Sequence, residues 1–456
     1  MILTNPKNAV IFETIMKISI KYLSPIIIIE IYLIFTLLLF SFGPIEYYLD
    51  DPLVFWFYIV LYHFSMILGY VLAAIPFKNR IGFRKKLKEK DLSSYKIRCL
   101  ILVAFIASII GHKNMTMSDS LIPIDFFSDI INGLLKSDAQ YVLKIGRLGE
   151  YSGSKLLNVF YFFIAFTKII LIPIVIFYWE KLGIVGKVLA FTISFLPVLS
   201  GVATGTNKLL FDFVILYGSS LLLYFVACYY REGRFNFKSR RFFIVTILIF
   251  FCFAIWFFGT AMLGRGGDPS YLETTSPLRH IKITDAYRNS DGDSFLSYTY
   301  VWLSNYLVQG YYGFSQSLNI DFTSTLGFGN SPFLTRQVEW LTGLDFSLYT
   351  YQHKIAAVWG EAQWHSLYSQ IANDVHFLGV AVWNFIMGFY LAKLWRSFLD
   401  ENNLYSKFLL PLFAMLIIFT PANNQVFGYL ETLSAFFFMT LLWFGSRYRR
   451  RAFSRN

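Results

Sequence analysis

The sequence predicts an all-α membrane protein with about ten transmembrane helices and one large outward loop. Three observations lead to this fold class. First, 56% of the residues are hydrophobic and 15% are charged, which is more apolar than a water-soluble protein of this size normally is. Second, the apolar residues form separate runs of the length that crosses a bilayer. Third, basic residues are concentrated in particular connections between these runs, as in multi-pass membrane proteins.

A helix needs roughly 20 apolar residues to cross about 30 Å of hydrocarbon. Two of the apolar runs, 99–111 and 408–420, are short for a full crossing, and Pro411 in the second one removes a backbone donor. We expect a single integral membrane domain over residues 1–456. Its spans lie near 22–42, 52–76, 99–111, 157–178, 188–204, 209–229, 242–263, 371–395, 408–420 and 429–446.

Lys and Arg predict the orientation, because basic loops resist translocation and stay in the cytoplasm. Segment 78–98 has nine basic and two acidic residues, segment 231–241 has five and one, and the tail 447–456 has five Arg. With ten spans, all three lie on the same side. By contrast, 112–156 has five basic and five acidic residues, and 264–366 has six and nine. We therefore predict that both termini are cytoplasmic and that the two long loops face outward.

The net charge of +12 reflects these basic loops and an attraction to anionic lipid headgroups. Membrane lipids are therefore an expected partner, and nucleic acid is not. The outer loops are 112–156 and the much longer 264–370, which is rich in Trp, Tyr and Phe. Loops of such length are usually functional when their composition argues against disorder. We predict that 264–370 carries short helices and the active site.

Several cations could bind a phosphate, because a guanidinium presents a planar set of donors and stays charged. Arg265 is the strongest of them, since the neighbouring glycines allow a ligand to approach the backbone. Lys208 begins a span after a short polar turn, where free backbone donors favour an anion. The alternatives are loop cations that balance nearby Asp residues and a Lys that reaches the interface. The candidate phosphate ligands are Arg265, Arg279, Arg288, Arg336 and Lys208.

The sequence GEAQWHSLYSQIANDVHFLGV, at 360–380, places ionisable groups at the start of an apolar span. Such groups are costly at membrane depth and are therefore functional candidates. His365 is the candidate base, because an imidazole titrates near neutral pH; the alternative is a His satisfied at the interface without a catalytic role. A continuous helix would put Asp374 on the opposite side from one polar stripe. That stripe contains Glu361, His365, Tyr368 and His376.

Three other features of the sequence are less informative about a ligand or a reaction. The sequence SYTYVWLSNYLVQGYYGFSQSL, at 297–318, has the aromatic content of a helix in the membrane interface, although its rings could also stack on sugars. The Asp291-Gly292-Asp293 sequence is similar to a metal-binding DxD motif, but its neighbours are typical of a tight turn. We therefore predict no metal site. The three cysteines show no paired spacing.

Two motifs resemble the O-antigen ligase and Wzy polymerase superfamily. His365-Ser366-x-Tyr368, followed by LGV at 378–380, is similar to the HNxYL…GLLG element of these proteins. GTNK at 205–208 resembles their Gly-Ser-Arg or Gly-Ser-Asn-Lys element at the outer start of a span. Ser366 replaces Asn, and Lys208 stands where ligases carry Arg, so the choice between polymerase and ligase stays open and leans toward polymerase. The aromatic segment at 306–318 is also similar to oligosaccharide repeat unit polymerases.

The resemblance implies a GT-C-like protein of the bacterial inner membrane with a periplasmic active site. It implies that undecaprenyl-pyrophosphate-linked oligosaccharide repeat units are polymerised into an O-antigen or a capsule. The transfer would be inverting and metal-independent, without a cofactor, and a chain-length-regulating co-polymerase becomes a candidate partner. His365 would be the base, with Glu361 as its orienting partner or as the alternative base, and Tyr368 and Trp364 would hold the sugars.

The sequence leaves three rival functions. An O-antigen ligase shares these features but transfers the polymer to a lipid core. A flippase or other transporter of lipid-linked oligosaccharides predicts internal repeats, charged residues scattered through the spans and short outer loops. A membrane acyltransferase would place its catalytic His near the first spans, where the sequence offers only His63.

Overall fold

The computed structural model describes residues 6–74, 92–118, 120–121, 124–148, 154–233, 237, 240–267, 270, 272–273, 281–288, 294–360 and 363–453. This part of the chain is predominantly helical, with a small two-stranded sheet of β1 (Ile45–Tyr47) and β2 (Ile281–Ile283). The helices are α1 (Pro6–Phe42), α2 (Pro52–Ala74), α3 (Ser94–Thr116), α4 (Phe126–Leu135), α5 (Ser137–Leu148), α6 (Lys155–Tyr178), α7 (Ile184–Ala203), α8 (Lys208–Glu232), α9 (Arg241–Gly266), α10 (Asp285–Arg288), α11 (Phe295–Ser317), α12 (Pro332–Thr342), α13 (Tyr351–Lys354), α14 (Leu367–Glu401), α15 (Leu404–Phe419) and α16 (Leu430–Phe453), and 3-10 turns form at Trp179–Lys181 and Phe346–Tyr349.

Within the described residues, eight helices are long and apolar enough to cross a membrane. They confirm an all-α multi-pass membrane protein, while the count of ten spans stays a prediction. The other two predicted spans correspond to α15, which has 16 residues and contains Pro411, and to α16, which has 24 residues. The eight apolar segments are Ile20–Phe42, Pro52–Ala74, Ser94–Thr116, Leu156–Lys181, Ile184–Ala203, Lys208–Tyr230, Arg241–Gly266 and Leu367–Glu401.

The third span is longer than the sequence predicted. Helix α3 has 23 residues, where the apolar run 99–111 suggested an incomplete crossing. It begins after Ser93, whose side chain accepts the N–H of Lys96, and its last turn contains Lys113. Polar residues at the two ends lower the local hydropathy without preventing helix formation, which explains why the run looked short.

Three segments that the sequence predicts to be outer loops meet at one end of the helix bundle. Strand β1 follows α1 and pairs antiparallel with β2 of the 264–370 loop, with Glu46 opposite Lys282. Helices α4 and α5 pack on the C-terminal ends of α7 and α9, where Gly133 lies against the carbonyl of Val202. We call this the loop end of the bundle.

The bundle is held together by close helix contacts and aromatic packing. Helices α2 and α14 form the most extensive contact, in which Gly69 lies against the backbone of Phe385 and Gly388 against the carbonyl of Met66. Small residues allow such close approach between spanning helices, where dispersion contacts drive association.

Helix α11 matches the predicted aromatic helix, but its C-terminal half is enclosed by protein. Tyr311, Tyr312 and Phe314 are fully buried. Gly310 and Gly313 let neighbouring segments approach this helix closely. Its aromatic residues therefore pack inside the molecule, and the interfacial position predicted for this half is wrong.

Helix α14 differs from the continuous helix predicted through 361–380. It starts at Leu367, with Ser366 as its N-cap, so that residues 363–366 lie outside it. His376 has φ 61° and ψ 165°, which interrupts the helix two turns later. The predicted polar stripe is therefore wrong, because it required unbroken helical geometry on both sides of Leu367.

The interruption in α14 is covered by the segment 324–330 of the large loop. The Asp374 carboxylate accepts the backbone N–H groups of Gly327, Gly329 and Asn330 at 2.9–3.1 Å. The freed carbonyl of Asn373 accepts the hydroxyl of Thr325 at 2.9 Å. Asp374, which looked out of place in the sequence, therefore anchors a loop on the broken helix.

Candidate anion-binding cavity at the loop end

A cavity of about 330 Å³ lies at the loop end of the bundle. Parts of α3, α5 to α9, α11, α15 and α16 form its wall. This volume lies in the range of sites that hold small molecules or parts of larger ligands. The polar and aromatic side chains that line it include Tyr141, Lys144, Lys168, Asn207, Lys208, Arg265, Tyr306, Trp364, Gln425, Tyr429 and Glu431.

The cavity wall carries an excess of positive charge. Lys144, Lys168, Lys208 and Arg265 line it, whereas Glu431 is the one acidic side chain among the lining residues described. Two further carboxylates lie next to these cations: Asp212 pairs with Lys208, and Asp138 lies near Arg265. Four cations still outnumber three acids. A cavity with this balance favours an anionic ligand.

Lys208 is held at the first position of α8. Its ammonium pairs with Asp212, one turn along the same helix, and lies 3.9 Å from the centroid of the Tyr429 ring. The preceding turn passes through Gly205, whose φ of 61° is in the left-handed region and where a Cβ would collide with the carbonyl of Ser137. Glycine is therefore required at this turn, which fixes the start of α8 against α5.

Arg265 connects this turn to α5. One guanidinium nitrogen donates to the carbonyl of Gly205, and the guanidinium carbon lies 3.6 Å from the centroid of the Tyr141 ring. Stacking on an aromatic face holds the planar group in one orientation. The Nε atom is buried and makes no hydrogen bond to the described residues. It remains a donor that a ligand or a water can use.

Lys144 enters the cavity from α5. In the part of the chain that the structure describes, its ammonium contacts the sulfur of Met115 at 3.5 Å and forms no ion pair with an acid. Burial, together with the charges of Lys208 and Arg265, lowers the pKa of Lys144 to about 8. The ammonium is therefore mostly charged at neutral pH and would be stabilised by a bound anion.

Glu431 lies at the start of α16 between two donors. The hydroxyl of Tyr161 donates to Glu431 Oε1 at 2.8 Å, and Lys168 Nζ lies 3.6 Å from the same oxygen. Lys168 also donates to the Tyr161 hydroxyl at 2.9 Å. These contacts fix one carboxylate oxygen on a cavity wall that is otherwise cationic.

Several polar atoms of the same wall are without a hydrogen-bond partner among the described residues. Asn207 Oδ1 and both terminal atoms of Gln425 are buried without a hydrogen bond to the described residues. Buried polar groups in folded proteins are almost always hydrogen-bonded, so each exception needs a partner. A ligand or ordered water inside the cavity would supply it.

The structure brings together three of the residues that the sequence singled out. Lys208, Arg265 and Trp364 all line the cavity, and the indole of Trp364 packs edge-on against Tyr306 at 4.8 Å. Arg336 lies on α12 and is exposed, outside the cavity lining. Arg288 ends α10, and only its backbone is described. Arg279 and Glu361, like the Asp291-Gly292-Asp293 sequence for which a turn is predicted, lie outside the described residues.

His365 and Tyr368 are buried behind the cavity wall. His365 is 2% exposed, sits next to Gly313 and Trp359, and is absent from the cavity lining. Burial lowers the pKa of His365 to about 4, an effect that the nearby Gly360 carbonyl partly offsets. Tyr368 packs against Tyr62, with ring centroids 4.8 Å apart. In this arrangement neither side chain reaches the space where a ligand would bind.

Lys144, Lys168 and Glu431 were missed in the sequence. Lys168 is interior to an apolar span and could have been noticed, because a charge at membrane depth is a functional candidate. Lys144 carried no such signal, since it lies in the 112–156 loop, whose acidic and basic residues are balanced. In the described part of the chain, no group of three His, Cys, Asp or Glu is placed to hold a metal ion together.

Comparisons with protein families, with characterised proteins and with solved structures find no match to this chain.

Proposed function

We propose that this protein is a membrane glycosyltransferase that polymerises oligosaccharide repeat units carried on undecaprenyl pyrophosphate. The observation that carries this proposal is a single cavity lined by four cations and one carboxylate, at the loop end of a bundle of apolar helices. A lipid diphosphate combines the two properties that such a site can recognise, an apolar tail and a compact anion. The resemblance of the 205–208 and 365–380 motifs to the polymerase superfamily supports the same substrate class.

The cations would bind the diphosphate of the donor. Arg265 and Lys208 are held rigidly by Tyr141 and Tyr429, and Lys144 has no competing acid among the described residues. When the glycosidic carbon leaves the diphosphate oxygen, negative charge grows on that oxygen. Preorganised cations stabilise this charge in the transition state more than in the ground state, which lowers the barrier.

The acceptor hydroxyl needs a base. Its oxygen forms the new bond to the anomeric carbon while the bond to the diphosphate oxygen breaks, the electron pair leaves with the lipid diphosphate, and the hydroxyl proton goes to the base. We place this base at Glu431, because it lies on the cavity wall and Tyr161 and Lys168 fix its position. His365 and Glu361, favoured by the sequence, remain the alternative pair.

The non-polar part of the wall fits the remaining groups of the substrates. Trp364, Tyr306 and Tyr141 offer aromatic faces for sugars, since such rings combine apolar area with a polar edge. Phe211, Phe258, Leu303 and Leu307 form an apolar side on which the first prenyl units could lie. The outer orientation of the loop end and the inner-membrane location belong to this proposal.

The direct test is elongation by the purified protein in nanodiscs. Lipid-linked repeat units extracted from a strain that lacks this protein are added, and the products are separated on a gel. The wild type should give a ladder, and Arg265→Ala should lower elongation by about 100-fold or more. Arg241→Gln removes an exposed charge at the opposite end and should match the wild type. A wild type that elongates no such substrate, or an unaffected Arg265→Ala variant, would contradict the proposal.

The base is tested in the same assay. Glu431→Gln should lower elongation by roughly 100- to 10,000-fold while binding of inorganic pyrophosphate remains. His365→Ala opens space in the packed core and should act through stability. If His365→Ala abolishes elongation in protein of wild-type stability while Glu431→Gln remains active, the base belongs to the alternative pair, His365 and Glu361, and is not Glu431.

An O-antigen ligase would use the same donor site and differ only in its acceptor. A strain without a polymerase retains single repeats on the lipid core, whereas a strain without a ligase has none. This phenotype separates the two enzymes, and purified lipid core added as acceptor gives the same answer in vitro.

A further inference from the structure

The segment of α4 and α5, residues 126–148, has a surface that the proposed chemistry does not use. We propose that it is a membrane-interface unit: its outward apolar face lies in the boundary between lipid headgroups and acyl chains, while its inward face carries Tyr141 and Lys144 to the cavity. This inference does not depend on the proposed glycosyl transfer.

Successive side chains of a helix are 100° apart around its axis, and on α4 they fall into three sectors. The inward sector contains Gly133, which packs on the backbone of Val202 at the end of α7. A second sector is polar and exposed, with Ser128 and Asn132. The third sector is apolar and exposed: Phe127 is 77%, Ile131 56% and Leu135 76% accessible. Exposed apolar and exposed polar sides on one helix are the pattern of an interfacial helix.

Helix α5 repeats this division. Tyr141 and Lys144 share the side that faces the cavity, where Tyr141 stacks with Arg265. Val142 and Leu143 are exposed on the other side, and Ile145, one turn after Tyr141, is exposed beside it; each of the three is about half or more accessible. The two helices are separated by one residue, Lys136, which is exposed and suited to a phosphate headgroup.

The packing of the unit identifies what covers its apolar face. Helices α4 and α5 rest on the C-terminal ends of α7 and α9, two of the helices that are apolar enough to span a membrane. A helix placed at the end of a span lies at the depth of the membrane surface. Because the ends of these spans meet the membrane surface, the bilayer is the partner we assign to the exposed apolar side of α4 and α5, in preference to a second protein copy.

One consequence concerns the cavity itself. Because Tyr141 and Lys144 are on the inward face of the same helix, lipid contact on the outward face would add to the packing on α7 and α9 that already places these two side chains at the cavity.

The position of the unit can be measured with spin labels on the full-length chain. Cys99, Cys228 and Cys252 are replaced, single cysteines are introduced and labelled with a nitroxide, and the protein is reconstituted in nanodiscs. Oxygen concentrates in the hydrocarbon, whereas a nickel chelate stays in water. At Ile131→Cys and Val142→Cys we expect oxygen to relax the label several-fold more than nickel does. Asn132→Cys and Ser128→Cys, on the polar side of α4, should show the reverse.

Two outcomes of the spin-label measurement would contradict the proposed membrane position. Nickel-dominated relaxation at Ile131 and Val142 would overturn it, because those side chains would then be in water. Low accessibility to both reagents, together with spin–spin broadening, would also overturn it, because a second copy would then cover the face. Leu135→Cys serves as a replacement if either apolar variant fails to reconstitute.

Discussion

Lys208 and Asp212 form an ion pair on one face of α8, where both side chains are largely removed from water. Neither charge would be stable there alone, since desolvation of an unpaired ion costs several kcal/mol. The pair therefore holds a cation in place at the cavity while limiting the energetic cost of burying it. The neighbouring Lys168 and Glu431 form a second pair of this kind, between α6 and α16.

The two roles of Lys208, stability and anion binding, can be separated. Lys208→Ala leaves Asp212 unpaired and should destabilise the protein by about 3 kcal/mol or more. The double variant Lys208→Met with Asp212→Leu removes both charges and should recover most of that stability in thermal unfolding. It should still bind inorganic pyrophosphate more weakly than the wild type in calorimetric titration. Wild-type affinity in the double variant would show that Lys208 does not contact the anion.

Lys144 predicts a pH dependence of anion binding. Its pKa is lowered to about 8, so the ammonium is present below that pH and is lost as the pH rises through it. Pyrophosphate affinity should therefore fall between about pH 7 and pH 9. Lys144→Arg stays charged over this range, so its titration reports the ionisation of pyrophosphate alone. Identical pH profiles for the wild type and Lys144→Arg would contradict a role for Lys144.

At the scale of elements, the interruption of α14 is the feature on which the arrangement of the large loop depends. The carbonyl groups released around His376 need new donors, and the hydroxyls of Ser324, Thr325 and Tyr62 supply them. A continuous helix would offer no such docking point, and the large loop would lose its attachment to the span.

The Asp374 carboxylate should be the strongest contributor to this docking. In Asp374→Asn one acceptor oxygen becomes an NH₂ group that faces backbone N–H donors, so we expect a loss of about 2 kcal/mol in unfolding free energy. Limited proteolysis should then cut 324–330 faster. Asp345→Asn, at an exposed cap of a 3-10 turn, should cost less than about 1 kcal/mol. Equal losses of unfolding free energy in the two variants would contradict the prediction that Asp374 contributes most to the docking of the loop.

The sequence was informative about elements whose signal is local. Apolar run length located the eight long helices, and the turn before Lys208 was recognised because Gly, Thr and Asn are typical of such sites. The break at His376 was not predictable in this way, since a left-handed backbone at His is rare and is stabilised by contacts with a distant loop. The burial of α11 was missed for a related reason: the same aromatic residues suit an interface and a packed core.

At the scale of the whole molecule, the cavity results from tertiary packing that no local pattern records. Arg265, Lys208 and Trp364 were each found from their neighbours in the sequence, but Lys144 and Glu431 reach the same space from a loop and from the last helix. Lys144 and Glu431 can be recognised as candidate site residues only in the three-dimensional structure, where they line the same cavity. His365 shows the converse, because a suggestive position in sequence leads to a side chain enclosed behind the wall.

Strands β1 and β2 come from two different loops, so a cross-link between them tests whether these loops meet at one end of the bundle. Glu46 and Lys282 are paired across β1 and β2, and both are exposed. Opposed Cα atoms in an antiparallel pair lie about 4.5–5.5 Å apart, within the range of a disulfide. In a chain without other cysteines, Glu46→Cys with Lys282→Cys should therefore cross-link under mild oxidation, as shown by linked peptides in mass spectrometry. Glu46→Cys with Glu339→Cys, in the same large loop, should not.

The same cysteines report the side of the membrane on which the loop end lies. Lys282→Cys should react with a membrane-impermeant maleimide in intact spheroplasts, because balanced charge in the 264–370 loop allows its translocation. Lys96→Cys, exposed at the start of α3 next to the basic 78–98 segment, should react only after the membrane is opened. Labelling of Lys96→Cys from outside, with Lys282→Cys protected, would invert the topology and place the cavity toward the cytoplasm. A lipid-linked donor presented at the outer surface could not then reach the four cations, so this measurement bears on the proposed function as directly as on the fold.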